Sequence, residues 1–443
     1  MNPKVTVILP TLNMKAYIHQ SMESVLNQTL KEIEVFVVDA ASTDGTREIV
    51  QEYMEEDPRV SLLEDVKKST GYAKNIGIER ASAPYIAMVE PDDYIELDMM
   101  EKLYQAAEET GADFVKSNYS AFLGEGETRF DFFKSTSAFP SDYGRLINPQ
   151  KDNHSFSWMM YEWLGLYRKS FLDKYHIRHN ESPGAAYQDH GFWFLTFAFA
   201  RSVYLLPESF YHYRCDNPNA SIRNPNNVFN ICKEYSYMRK QLEFQNDVWE
   251  RVAPAFYRGY FYDNCVLYTK LIEQWRIPLL QEMRKTLLKA QAQGLLDKSL
   301  YSDSEWEELV LLLKDEKELY EKKSNLFSDS KMQLETLKKE ILGDKQVVIY
   351  GAGSNGCNLH YLLVENGVNV VAYADGNCTK WGKEQNGISI LSWQECETKF
   401  AEGVYLITVK NHSNEIEKML MDNHIPENRI QKCDITKIFP NMI

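Results

Sequence analysis

The chain has 443 residues, of which 44% are hydrophobic, 26% charged and 13% aromatic. That excludes a disordered, collagenous or simple coiled-coil protein and, at roughly 150 residues per domain, implies about three folding units. Lys and Arg total 49 against 64 Asp and Glu, a formal charge of −15, the wrong sign for an unselective grip on a phosphate backbone, so no nucleic-acid partner is expected.

The seven cysteines form no C-x-x-C pair, which reads as reduced thiols rather than a disulfide framework or a zinc site. Met1-Asn2-Pro3-Lys4 leads straight into a strand-like run, with no signal peptide. The longest apolar stretch, Phe192 to Leu206, is broken by Arg201 and Ser202 and is too short to span a bilayer. A cytoplasmic protein is expected, with peripheral contact at the inner face of a membrane and homo-oligomerisation both left open.

The first 117 residues alternate two kinds of signal. Apolar, β-branched runs at 5–10, 34–39, 60–63, 85–89 and 113–116 predict strands. The segments 15–29, 45–56, 70–82 and 97–110 between them predict helices. Such alternation predicts a parallel α/β sheet, whose ligands bind at the carboxyl ends of the strands. Pro10-Thr11, Asp39 and Glu90-Pro91-Asp92-Asp93 fall at those ends. Two or three carboxylates without His or Cys suit a hard cation, Mn2+ or Mg2+, with phosphate oxygens. Strand-end acids also form turns and cap helices, so Asp39 alone decides little.

Residues 118–225 are irregular and rich in aromatics, with a helix starting near Asp189. The pattern from 228 to 340 is helical, and Leu309 to Ile341 reads as one connector without Pro. A strand at 346–350, the run Gly351-Ala352-Gly353-Ser354-Asn355-Gly356, a helix to about 366 and a strand ending at Asp375 suggest a small Rossmann-like unit. A nucleotide could set its phosphates on Gly351, Gly353 and Gly356 and its ribose on Asp375; a structural or regulatory module fits equally. The expected division is 1–227, 228–344 and 345–443.

Five blocks resemble family 2 glycosyltransferases, in the family's order over about 95 residues: Val7 to Asn13, Ser24 to Thr29, Asp39 to Thr46, Gly71 to Gly77, and Glu90 to Tyr94. The resemblance implies a GT-A fold, a nucleotide-sugar donor and inversion at the anomeric carbon. By it, Pro10, Thr11 and Asp39 line the nucleoside pocket, Asp92 faces the ribose and diphosphate, and Asp93 is the direct metal ligand, with Asp92 beside it. Ala40, Glu90 and Lys74 depart from the family's usual residues; Lys74 contacts phosphate or is a solvated helix charge. The Gln188-Asp189 pair resembles the family's Glu-Asp block, which makes Asp189 the general base; a helix N-cap role for Asp189, or His190 as the base, are the alternatives, with a structural role expected for His190. Tyr211-His212-Tyr213-Arg214, then Asn217 to Ile222, resembles a family segment in which Arg214, or His212, would contact the diphosphate; a buried strand with Arg214 in a structural salt bridge is the alternative. Trp158, Tyr161, Trp163 and Tyr167 either stack on an acceptor sugar or pack the core. His176 and His179 are expected at the surface.

The expected activity is metal-dependent transfer of a sugar from a nucleoside diphosphate, UDP by default, to a saccharide, lipid-linked or glycoprotein acceptor in polysaccharide or glycan synthesis. A sugar nucleotidyltransferase, or a dinucleotide-binding sensor built on 345–443, are the alternatives.

Overall fold

The computed structural model describes residues 2–123, 129–185, 187–217, 219, 229–271, 273–409 and 412–433. They form two compact units: residues 1–122 with 133–316, and residues 123–132 with 317–443. The helical region to residue 316 thus belongs with the first unit. It is not a separate layer starting at 228.

The first unit is built on a row of eight strands. In chain order these are β1 (Val5–Thr11), β2 (Ile33–Asp39), β3 (Val60–Glu64), β4 (Tyr85–Met88), β5 (Tyr94–Ile95), β6 (Phe114–Leu123), β7 (Gly165–Arg168) and β8 (Val203–Arg214). Their spatial order is β3-β2-β1-β4-β7-β6-β8-β5. β1 to β4 are mutually parallel, while β7 runs antiparallel to β4 and β6. Strands covered on both faces read as unbroken apolar runs; Val5, Val7, Ile8, Leu9, Val35, Val37 and Val38 are all fully buried.

The connecting helices are α1 (Ile18–Leu26), α2 (Thr46–Glu56), α3 (Thr70–Arg80) and α4 (Met99–Thr110). Register sets the chemistry at the strand ends: Thr11 pairs Asp39, and Asp39 pairs Glu64. α5 (Lys169–Lys174) follows β7. α6 (Gln188–Phe199) is apolar almost all round, as a helix buried on every side must be, with each residue from Gly191 to Phe199 buried. α7 (Asn230–Gln241), α8 (Asn246–Lys270), α9 (Glu273–Ala292) and α10 (Asp303–Lys314) complete this unit.

The expected continuous connector from 309 to 341 is divided. α10 ends at Lys314 with Asp315 in extended backbone, and α11 (Glu316–Thr336) starts anew. Among the described residues no helix is long and apolar enough to cross a membrane.

The second unit holds a six-stranded sheet. Its strands are β9 (Val347–Tyr350), β10 (Val370–Ala374), β11 (Glu384–Gln385), β12 (Ile388–Leu391), β13 (Val404–Ile407) and β14 (Ile430–Lys432). They lie in the order β11-β12-β10-β9-β13-β14, parallel except for β11. Strand alternation shows directly: Val347 and Ile349 join one apolar layer, Val348 and Tyr350 the other.

Candidate active site

A cavity of about 530 Å³ opens in the first unit at the carboxyl ends of β1, β2 and β4. Pro10, Thr11, Leu12, Val38 and Ala40 form one wall, with Asp65 and Ser69 beside them. Glu90, Pro91 and Asp92 follow β4 into the cavity, and Gln188, Asp189 and His190 start α6 there. Tyr262, Asp263, Val266 and Leu267 of α8 close another side. α3 approaches closely because Gly71 has no side chain: a Cβ there would sit 1.9 Å from the carbonyl oxygen of Asn180.

The two adjacent acids point different ways. Asp93 is 1% exposed and absent from the cavity wall. Its carboxylate accepts the Tyr211 hydroxyl at 2.8 Å and the Arg214 backbone N–H at 2.7 Å. Burial, then the charge of Asp92, push it well above the usual carboxylate range. Asp93, expected as the direct metal ligand, is thus turned away from the cavity, and the carboxylate of the pair that reaches the cavity is Asp92. Its Oδ2 accepts the Asn217 amide at 2.7 Å, and its Oδ1 has no hydrogen bond among the described residues.

Arg214 also departs from expectation. Its guanidinium donates to the Asp92 carbonyl at 3.0 Å and to Gln20 at 2.8 Å, and lies over the rings of Tyr17 and Phe122. It braces the acidic loop from behind and does not line the cavity. Asp39 likewise stands behind the wall, with Ser42 and Arg47 on its carboxylate, while Val38 and Ala40 on either side of it reach the cavity.

Lys74 is 3% exposed rather than solvated. Its ammonium bonds Glu90 at 2.7 Å and, more tightly, Glu162. Burial alone would lower it, but the two carboxylates raise it overall. Glu162 is fully buried and also meets His179, whose other ring nitrogen faces Asn75. His179, expected at the surface, is thus a core residue, and His176 is exposed. Trp158 and Tyr167 pack the core, whereas Tyr161 and Trp163 reach the cavity, stacked at 4.7 Å between ring centroids.

Asp189 is not an N-cap. Tyr187 holds that position with φ 67°, and Asp189 lies in the first turn of α6. Its Oδ1 receives both the backbone N–H and ring Nδ1 of His190 at 3.1 Å. Burial opposes its charge, yet the charge and hydrogen bonds of His190, together with the charge of Lys74, hold the carboxyl at about 2. Burial also opposes charge on His190, but Asp189, then Asp263 and Glu234, lift it to about 9. Asp263 Oδ2 lies 3.7 Å from His190 Nε2 and accepts the Tyr235 hydroxyl at 2.7 Å.

Sequence reasoning missed Asp65, Glu162 and Asp263. The signal for Asp263 was an acid set in the aromatic run Tyr260-Phe261-Tyr262 of a helix. Asp65 takes the backbone N–H groups of Lys67 and Ser69. Of the segment from Asn217 to Ile222, only Asn217 and Asn219 fall within the described residues.

The donor set fits a divalent cation of the Mn2+ or Mg2+ kind. Such ions take one or two carboxylates plus substrate phosphate oxygens rather than an all-protein cage. Asp92 supplies one open oxygen, and among the described residues no group of three or more His, Cys, Asp or Glu side chains is arranged to hold a metal ion by itself.

In the second unit the glycine run follows β9 and opens α12 (Ser354–Glu365), as its pattern predicts. A Cβ at Gly356 would lie 1.9 Å from the Gly351 carbonyl oxygen, and Gly353 has open space around it. Asp375 turns onto this loop: it accepts the N–H groups of Ala352 and Asn377 at 2.9 Å and pairs with Lys380 at 2.9 Å.

Two family models match. "Glycosyl transferase family 2" covers residues 6–188 and "C2185-like, N-terminal" covers 343–431. The chain is 28% identical over 225 residues to the uncharacterized glycosyltransferase EpsJ of Bacillus subtilis, covering 51% of this chain and 64% of that one. It is 37% identical over 132 residues to the glycosyltransferase GlyA of Streptococcus pneumoniae, covering 30% of this chain and 19% of that one. Each match therefore spans less than two thirds of the relative's length. The structure of S. aureus TarS 1-349 overlays 66% of this chain and 92% of its own at 17% identity, with a TM-score of 0.42. Residues 6–188 of this chain, an α/β segment with acidic strand ends, thus match the family 2 glycosyltransferase model and are similar to that family.

Proposed function

We propose that the first unit is an inverting glycosyltransferase. It moves a sugar from a nucleoside diphosphate, UDP by preference, to a hydroxyl of a saccharide or glycoconjugate acceptor, in surface polysaccharide or glycan synthesis. One observation carries this reading: Asp92 and Asp189, a carboxylate with an open oxygen and an ionised carboxylate at a helix start, share a single cavity.

The nucleoside sits against Pro10, Thr11, Val38 and Ala40, with Asp65 at its polar edge. Asp92 holds the divalent cation, which when bound neutralises the charge of the departing diphosphate. Asp189 takes the acceptor proton as the hydroxyl attacks the anomeric carbon, so that donor and acceptor lie on opposite sides of the sugar. The wall from α8, with Tyr262 and Val266, and the rings of Tyr161 and Trp163 form the acceptor side, where aromatic faces cover the apolar faces of sugars.

The experiment is a thermal-shift panel of UDP, GDP, dTDP and CDP, each with and without Mn2+, followed by nucleotide release from the matching sugar donors. A ligand that binds only the folded state raises stability by RT ln(1 + [L]/Kd). Mn2+-dependent stabilisation by UDP is expected, together with loss of transfer in Asp189→Asn while UDP still stabilises that variant. No diphosphate stabilising the protein, or full transfer by folded Asp189→Asn, defeats the reading.

A further inference from the structure

We propose that Asp263, on α8, is a positioning residue for Asp189 and acts through His190: it holds the far nitrogen of the imidazole so that the near nitrogen keeps one oxygen of Asp189 turned to the cavity. The inference rests on Asp189 being the base. It extends the site to a helix beyond residues 6–188, the segment matched by the family.

The geometry is a bracket. His190 Nδ1 lies 3.1 Å from Asp189 Oδ1, and His190 Nε2 lies 3.7 Å from Asp263 Oδ2. The backbone N–H of His190 donates to the same Asp189 oxygen at 3.1 Å. Oδ1 is thereby committed, and Oδ2 has no hydrogen bond among the described residues. Asp263 is fixed in turn, because Tyr235 donates its hydroxyl to Oδ2 at 2.7 Å. Asp189, His190 and Asp263 all line the cavity. At 3.7 Å the Asp263 arm is an ion pair rather than a hydrogen bond, and only a protonated ring carries the charge that both carboxylates attract. The bracket needs the charged ring.

Every charged neighbour favours that charge. Asp189 faces the ring from its own helix, Asp263 from α8 and Glu234 from α7. Tyr187 stands edge-on to the ring at 5.3 Å, and Lys74 acts on the far side of the pair through Asp189. As pH rises through about 9 the ring loses a proton and one arm of the bracket opens. Removing the Asp263 charge brings that point to lower pH.

The test is an NMR titration of histidine rings in the full chain, with His190→Gln assigning the signal. His190 is expected to titrate near 9, and in Asp263→Asn about one pH unit lower, a tenfold change in proton affinity. Tyr235→Phe, which strips the hydroxyl from Asp263 and leaves its charge more exposed to the ring, is expected to move His190 upward; it decides the matter should Asp263→Asn not fold. UDP release from UDP-glucose with an alkyl glucoside acceptor is followed in parallel. Asp263→Asn is expected to lower kcat about tenfold, leave the donor KM unchanged and bring the alkaline limb down with the ring, and Asp263→Glu to restore the limb. An unshifted ring in folded Asp263→Asn, or a wild-type ring titrating near 6.5, overturns the inference with the base assignment intact. Full turnover by Asp189→Asn overturns the base assignment, and the role of Asp263 with it, even where the ring moves.

Discussion

Tyr211 donates its hydroxyl to Asp93 over 2.8 Å and accepts the backbone N–H of Glu90 over 3.0 Å, so one phenol ties both ends of the acidic loop. Arg214 adds a backbone N–H to Asp93 and a guanidinium bond to the Asp92 carbonyl. The loop is held by Asp93 and presents Asp92.

The two acids should therefore separate on mutation. Asp92→Asn is expected to abolish the Mn2+-dependent part of UDP stabilisation with little change in stability without ligand. Asp93→Asn offers one acceptor oxygen to two buried donors, which costs about 1–3 kcal/mol. It should keep the Mn2+ response. Thermal melts of both variants with and without Mn2+ and UDP check this; loss of the Mn2+ response in folded Asp93→Asn and its survival in Asp92→Asn would reverse the assignment.

Lys74 gives a second contrast. A lysine contacting donor phosphate would, when lost, raise the donor KM and spare stability. The structure instead places its ammonium between Glu90 and Glu162, at 3% and 0% side-chain exposure for Lys74 and Glu162. Removing one member of a buried ion cluster leaves the others uncompensated, a cost of about 3–5 kcal/mol. Lys74→Met is expected to lose that much in urea unfolding, and Lys74→Met with Glu162→Gln to recover part of it, since neighbours in one network do not add. A stable Lys74→Met with a weakened donor KM would return Lys74 to the phosphate.

Much of this was legible in the sequence, for physical reasons that also mark where legibility stopped. β1, β2 and β4 are buried on both faces, so their apolar runs stand out, and their ends place Thr11 and Asp92 on the cavity without any tertiary knowledge. The first-turn acid of α6 was visible because an apolar helix follows it. Which of Asp92 and Asp93 faces inward was not visible: that is decided by Tyr211 and Arg214, 118 and 121 residues further along. Glu162 and His179 were hidden for the same reason. Their partners, Lys74 and Asn75, lie 88 and 104 residues away, and local pattern carries no trace of a pairing made across the fold. The break at Asp315 carries no Gly or Pro, so the run from 309 to 341 was read straight through it.

Glu234 supplies a pH test of the buried acids behind the site. It is 1% exposed; Oε2 accepts the Asn180 amide at 2.8 Å, and Oε1 has no hydrogen-bond partner among the described residues. α6 passes so near that a Cβ on Gly191 would lie 2.0 Å from that oxygen. Burial pushes the carboxyl up to about 7. A native pKa above the unfolded one means the folded chain binds the proton more tightly, so this contribution to stability is full below about pH 4.5 and is lost as pH rises to 7. The gap corresponds to roughly 3 kcal/mol. Glu234→Gln cannot titrate, and any constant packing cost it brings shifts its curve without changing its slope. Urea unfolding of both proteins from pH 4.5 to 8 should therefore show the wild type falling by about that amount relative to Glu234→Gln, mostly between pH 5 and 7. A difference that stays flat over this range means Glu234 is ionised in the folded protein at all these values, with its charge met by a partner other than Asn180.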